Sequence, residues 1–119
     1  MPTYGLVELW KPRDNWYDLS AQEKSRFVDG IRENIETLSA KGIKLLGIYR
    51  CRGFGDWDGM AFFECPDAES VEAVAEGSES HDWYHYFEGN NVVGTFQSLE
   101  EWASHVARMG DTDPKKNAG

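Results

Sequence analysis

The chain is short of positive charge. Twelve lysines and arginines stand against 21 aspartates and glutamates, leaving a net charge of −9. A duplex-binding protein needs a basic face to displace counterions, and an anionic membrane attracts polybasic segments. Neither nucleic acid nor a membrane surface is therefore an expected partner. The acidity serves solubility. Long apolar runs are missing as well. The opening Met1-Pro2-Thr3-Tyr4 has no basic region ahead of an apolar stretch, so neither a signal peptide nor a transmembrane span is read, and the default location is cytoplasmic.

Cysteine is scarce: Cys51 and Cys65 are the pair present. In a hairpin turning near residues 53–56, Cys51 faces position 58 and Cys65 faces position 44, roughly 20 Å apart along the ladder. That exceeds disulfide reach, so two free thiols are expected. Several chemical signatures are absent too. There is no CxxC, no HExxH, no serine elbow, and no glycine-rich loop opening a helix, because Gly53-Phe54-Gly55 joins two strands. No repeat or low-complexity segment is present.

What is there is one domain's worth of alternating elements. Residues 4–11 read as a strand with Tyr4, Leu6, Glu8 and Trp10 on one face. Glu8 is out of place on that apolar face. It is either a cavity carboxylate or an ion-paired or strand-edge glutamate, and the second reading is preferred. Pro12 ends regular pairing. The connection that follows carries Trp16 and Tyr17, which either cover a ligand or pin the loop to the core. Ser20 and Glu23 form a capping box for a helix to about Lys41, with an apolar stripe of Phe27, Val28, Ile31, Ile35 and Leu38 closed by Gly42.

Strands follow at 43–52 and 57–65, with Arg50 and Arg52 on one strand face. These arginines are either ion-paired, the preferred reading, or placed at a cavity rim to hold an anion. Asp67 caps a second helix ending near Gly77-Ser78; a strand at 91–97 and a last helix, opened by the Ser98/Glu101 capping box, complete the order. The domain spans 1–109, and residues 110–119 read as a flexible polar tail.

The densest chemistry lies in His81-Asp82-Trp83-Tyr84-His85-Tyr86-Phe87, where a helical turn would place both histidine rings on one face. Metal ligation by His81 and His85 would need a third ligand that the sequence does not offer, so no metal is assigned. Acid–base work by His81 or His85 is the chemical reading, with Asp82 or Glu8 orienting the ring and Tyr84 or Tyr86 donating to an enolate-like oxygen. The bland reading is that the run packs and terminates a helix.

Two split β-α-β units in this order make a ferredoxin-like four-stranded antiparallel sheet with both main helices on one face. The bare face is too apolar for water, so a second copy should cover it. With its C-terminal helix, this βαββαβ order resembles the dimeric α+β barrel superfamily over roughly residues 4–97, with the closest local likeness at 71–93. Its small members include antibiotic-biosynthesis-type monooxygenases, muconolactone isomerases, and EthD-, YCII- and darcynin-like proteins. The resemblance implies a homodimer with a cleft between sheet and helices in each protomer. It carries no shared catalytic motif.

The expected function is a cofactor-independent homodimeric enzyme acting by proton transfer on an apolar or aromatic metabolite, of isomerase, cyclase, dehydratase or monooxygenase type. His81, His85 and Tyr84 are its candidate catalytic residues. Glu8, Trp10, Trp16, Tyr17, Arg50, Trp57, Trp83 and Tyr86 are candidate ligand contacts. One alternative is a non-enzymatic ligand-binding or accessory dimer. Another is a heme- or metal-binding member of the same fold.

Overall fold

Period-two alternation lays down the sheet. In the computed structural model, which describes residues 3–110, β1 runs Tyr4–Pro12, β2 Lys44–Arg50, β3 Gly59–Cys65 and β4 Phe87–Thr95. The order across the sheet is β2-β3-β1-β4, and every pairing is antiparallel. The helices are α1 (Ala21–Ala40), α2 (Ala68–Ser80), the single turn α3 (Trp83–Tyr86) and α4 (Leu99–Ala107). This is the expected ferredoxin-like α+β arrangement. The predicted polar tail, from 111 onward, lies outside the described residues.

The core forms where one sheet face meets α1 and α2. Leu6, Ala61, Phe63 and Cys65 from the strands bury against Leu38, Ile43 and Val74. Both capping boxes form as expected, at Ser20/Glu23 and at Ser98/Glu101. Asp67 caps α2 by accepting a hydrogen bond from the Ser70 amide. Both cysteines are free thiols, Cys65 buried and Cys51 half-buried.

Several boundaries differ from the expected ones. Pro12 remains within β1, paired with Phe87 at the far end of β4. The long connection after it contains a 3-10 turn at Asp14–Asp18. β4 begins at Phe87, four residues ahead of the predicted start, so the aromatic stretch feeds directly into the sheet. On α1, Val28 is exposed and Asn34 is buried, which makes the inward stripe Phe27, Ile31, Asn34, Ile35 and Leu38. β2 ends at Arg50, because Arg52 takes a left-handed φ of 47° and turns the chain.

The register of β2 carries a further correction. Gly47 through Arg50 pair with Phe62 through Gly59, but Leu45 pairs with Phe63 and Lys44 with Glu64. Leu46 is the extra residue of a β-bulge. If the pairing of Gly47 through Arg50 continued regularly back along the same sequence, Lys44 would face Cys65. Because side chains alternate, one extra residue exchanges the faces of everything beyond it. The bulge therefore lets Leu45, Ile48 and Arg50 all share the helix-covered side, opposite Phe63, Ala61 and Gly59.

Gly59 is required for a packing reason. It lies opposite both Arg50 and Trp10, and the indole of Trp10 occupies the space into which a β-carbon there would project. Gly59→Ala should cost about 1–3 kcal/mol in urea unfolding, because it overpacks an ordered ring. Gly5→Ala, where a β-carbon meets nothing within 4 Å, should change stability by less than about 0.5 kcal/mol.

Candidate functional site

β1 is a central strand, hydrogen-bonded on both sides. Its middle residue on the helix-covered face is Glu8, opposite Ala61 on one side and Asn91 on the other. Neighbouring strands and the helices above exclude water from the side chain, which is only 8% exposed. Among the described residues no cation lies within ion-pair distance of it, and its Oε1 is buried without a hydrogen-bond partner. Of the two readings of Glu8, the cavity carboxylate is the one its surroundings match: it is neither ion-paired nor at a strand edge.

Glu8 points into a cleft of about 110 Å³ between the sheet and α1 and α2. Leu45, Ile48, Ala61 and Phe63 supply the sheet wall, and Ile31, Ile35, Leu38 and Val74 the helix wall. Trp10 and Trp83 close one end with an edge-to-face contact, ring centroids 5.9 Å apart. An apolar protein cavity of about 150 Å³ holds benzene, and this cleft has about three-quarters of that volume. Asn34 and Ser78 are the other polar side chains at the wall besides Glu8. Sequence reasoning missed both. Asn34 falls seven residues after Phe27, within the helical stripe, and Ser78 falls four after Val74, so periodicity alone held the signal.

Burial disfavours the charged carboxylate and raises the Glu8 pKa from 4.5 to about 7. The group is thus poised to give or take a proton at neutral pH.

The remaining candidates divide among three places. Trp83 is the member of the central aromatic stretch that reaches the cleft. It stacks on Phe87 at 4.3 Å, and behind it Trp16, Phe27, Tyr86 and Phe87 form one aromatic cluster. Trp16 pins its loop to that cluster, while Tyr17 is exposed. The pinning is completed by the backbone: the Arg13 amide donates to the Tyr86 carbonyl, Arg13 Nε to Tyr84, and Asn15 Nδ2 to His85.

Neither histidine ring lines the cleft. His81 ends α2 with Nδ1 2.8 Å from the Gly77 carbonyl oxygen, and the exposed His85 lies edge-on to Tyr86 at 4.6 Å. The Tyr84 hydroxyl accepts from Asn91 Nδ2 at 3.2 Å. Trp57 lies under the Lys11 ammonium, 5.3 Å from the ring centre.

Arg50 lies elsewhere, at a second and more open depression lined also by Trp10, Ile48, Arg52 and Asp58. Among the described residues neither arginine makes an ion pair, contrary to the preferred sequence reading.

No group of three or more potential metal-binding side chains occurs among the described residues. The cleft walls carry no histidine, cysteine, methionine or tyrosine to serve as an axial ligand, so the residues present do not fit a heme.

A ferredoxin-like sheet with a buried acid in the cleft beneath its helices is the class of protein that fold and site define. Residues 3–109 match the family described as a family of unknown function, DUF6616, and the chain belongs to that family. No curated protein matches. Among solved structures, the imidazole complex of chlorite dismutase from Candidatus Nitrospira defluvii is similar at 17% identity and a TM-score of 0.71, over 81% of this chain and 40% of that one. A single-residue variant of the same enzyme gives 16% identity and a TM-score of 0.73, over 93% and 48%. The chain thus spans less than half the length of these structures, and the likeness is one of fold. Among the described residues no helix is long and apolar enough to cross a membrane.

The Glu8 environment makes stability depend on pH. The unfolded chain releases this proton near pH 4.5 and the folded chain near pH 7, so the folded state holds the extra proton in between. Stability therefore falls as pH rises through that window, by about 3 kcal/mol in all. Glu8→Gln should flatten this slope in urea unfolding, matching the parent below the window and exceeding its stability above it.

Proposed function

We propose that the chain is a homodimeric enzyme that transfers a proton on an apolar or aromatic small molecule without a bound cofactor, with Glu8 as its acid–base group. The observation carrying this reading is the unpartnered, buried carboxyl facing an apolar cleft. A carboxylate stripped of water is a stronger base toward carbon, and the same group once protonated is a competent acid. One group can remove a proton from a carbon beside a carbonyl and return it to another carbon, which is an isomerisation. Asn34 and Ser78 are placed to hydrogen-bond the substrate oxygen on which charge develops. Glu8 thereby takes the role that the sequence offered to His81 and His85.

The test is deuterium incorporation from heavy water into a panel of small aromatic ketones, followed by proton NMR. Glu8→Gln should lower the exchange rate about 100-fold or more. His81→Ala and His85→Ala should stay within a few-fold of the parent. Loss with either histidine and retention without Glu8 would sink the assignment. Binding of the ketones with no exchange would identify the non-enzymatic alternative.

Dimerisation is supported by what the other sheet face exposes. Leu46, Tyr49 and Val92 are 61%, 55% and 54% exposed there, and Phe62 packs edge-on to Tyr49. α4 has no buried residue, yet carries Leu99, Trp102 and Val106. A helix this short is marginal alone, and apolar surface of this extent calls for a partner. Sedimentation should give twice the chain mass, and Tyr49→Lys should shift the protein to monomer.

A further inference from the structure

We propose that Arg50 and Arg52 form an anion-binding subsite at the mouth of the Glu8 cleft, so that the ligand is an apolar acid whose carboxylate stays at the rim while its apolar body enters the cleft. This deepens the proposed function and rests on that reading for the chemistry, though not for the binding.

Four observations carry it. The first is contiguity. The cleft and the arginine-lined depression share Trp10 and Ile48 as walls, so one ligand can lie across both. The second is the bulge at Leu46, which puts Arg50 on the side of the sheet that Ile48 and Leu45 share with the cleft. Bulges recur beside binding sites because they re-aim side chains in this way. The third is the backbone of Arg52. It holds a φ of 47°, in the left-handed region where a side chain other than glycine is disfavoured, while Gly53 beside it takes a φ of 88°. The fourth is charge. In a chain of net charge −9, two guanidinium groups share one depression without an ion pair among the described residues.

Asp58 also lines the depression and is the one carboxylate there. It belongs to the turn, its backbone amide donating to the Trp10 carbonyl and its carbonyl accepting from the Cys51 amide. One carboxylate beside two guanidinium groups leaves net positive charge for an incoming anion.

Size follows from the sheet. Glu8, Ala61 and Ile48 lie in one row across three strands, and Arg50 is two residues farther along β2. Strand spacing and rise put the Glu8 and Arg50 backbones roughly 12 Å apart. A single aromatic ring on a short chain ending in a carboxylate fits that span.

The probe is 4-phenylbutyrate, compared with its neutral amide, 4-phenylbutanamide, by calorimetric titration of the full chain. The acid should bind about ten-fold more tightly than the amide, as charge-assisted contacts to guanidinium groups require. Arg50→Gln and Arg52→Gln should each remove most of that preference and leave the amide unchanged. Arg52→Gly should melt no lower than the parent, since glycine relieves the backbone, yet lose the preference for the acid. Equal binding of acid and amide, binding of neither, or a preference for the acid that survives both arginine changes would overturn the proposal. Glu8→Gln separates the two readings. If the acid preference persists in the parent but deuterium exchange does not depend on Glu8, the subsite stands and the proton-transfer assignment fails.

Discussion

The Glu8 carboxyl lies in the middle of a central strand, under helices, with no cation within ion-pair distance among the described residues and one oxygen left without a partner. Mutational data put the cost of burying such a polar group without a hydrogen bond at about 1–3 kcal/mol. The surroundings show how the fold tolerates it. Trp10, Trp83, Phe87, Phe27 and Trp16 make a continuous set of stacked and edge-to-face contacts beside the cleft. Aromatic pairs of this kind contribute about 0.5–1.5 kcal/mol each beyond the area they bury. A rigid wall also keeps water from entering to solvate the acid. Apolar packing and an uneasy carboxyl are thus two sides of one arrangement.

This alters the meaning of the aromatic stretch from His81 to Phe87. Its density is chiefly structural. Phe87 is buried at the start of β4, Trp83 stacks on it, and carbonyls of Tyr84, His85 and Tyr86 hold the loop that precedes α1. The left-handed Asp82, at a φ of 60°, turns the chain from α2 into α3 so that these rings face inward. The stretch acts on the site by positioning Trp83.

Much of the fold was legible because its signals are local. Ser20 with Glu23, Ser98 with Glu101, and Asp67 each announce a helix start within a few residues of chain. Alternation in β1 placed Glu8 and Trp10 on one face without any knowledge of their neighbours. The site was less legible because it depends on pairing across the sheet. Whether Glu8 meets a cation is decided by β3, β4 and the helices, none of them near it in sequence. Asn34 gives no sequence signal beyond its periodicity because polar residues in a helical stripe are ordinarily solvated, and here Gly77 leaves the space that accepts its side chain. Arg52 reads as a strand residue because nothing in its own identity indicates a left-handed backbone. The bulge at Leu46 has no signature of its own, because Leu45 and Leu46 are identical neighbours and either could face the core.

That bulge also bears on how such a domain diversifies. An insertion or deletion is usually harmless in a loop and ruinous in a strand, but an edge strand such as β2 has a neighbour on one side only. Loss of Leu46 would restore a regular ladder and leave Leu45, Ile48 and Arg50 opposite their present partners, on the helix-covered side. The cleft would keep its lip, while the outer face would lose an exposed apolar side chain. One codon lost at this position therefore acts on the outer face alone, changing what the sheet presents outward without touching the cleft or redrawing the fold.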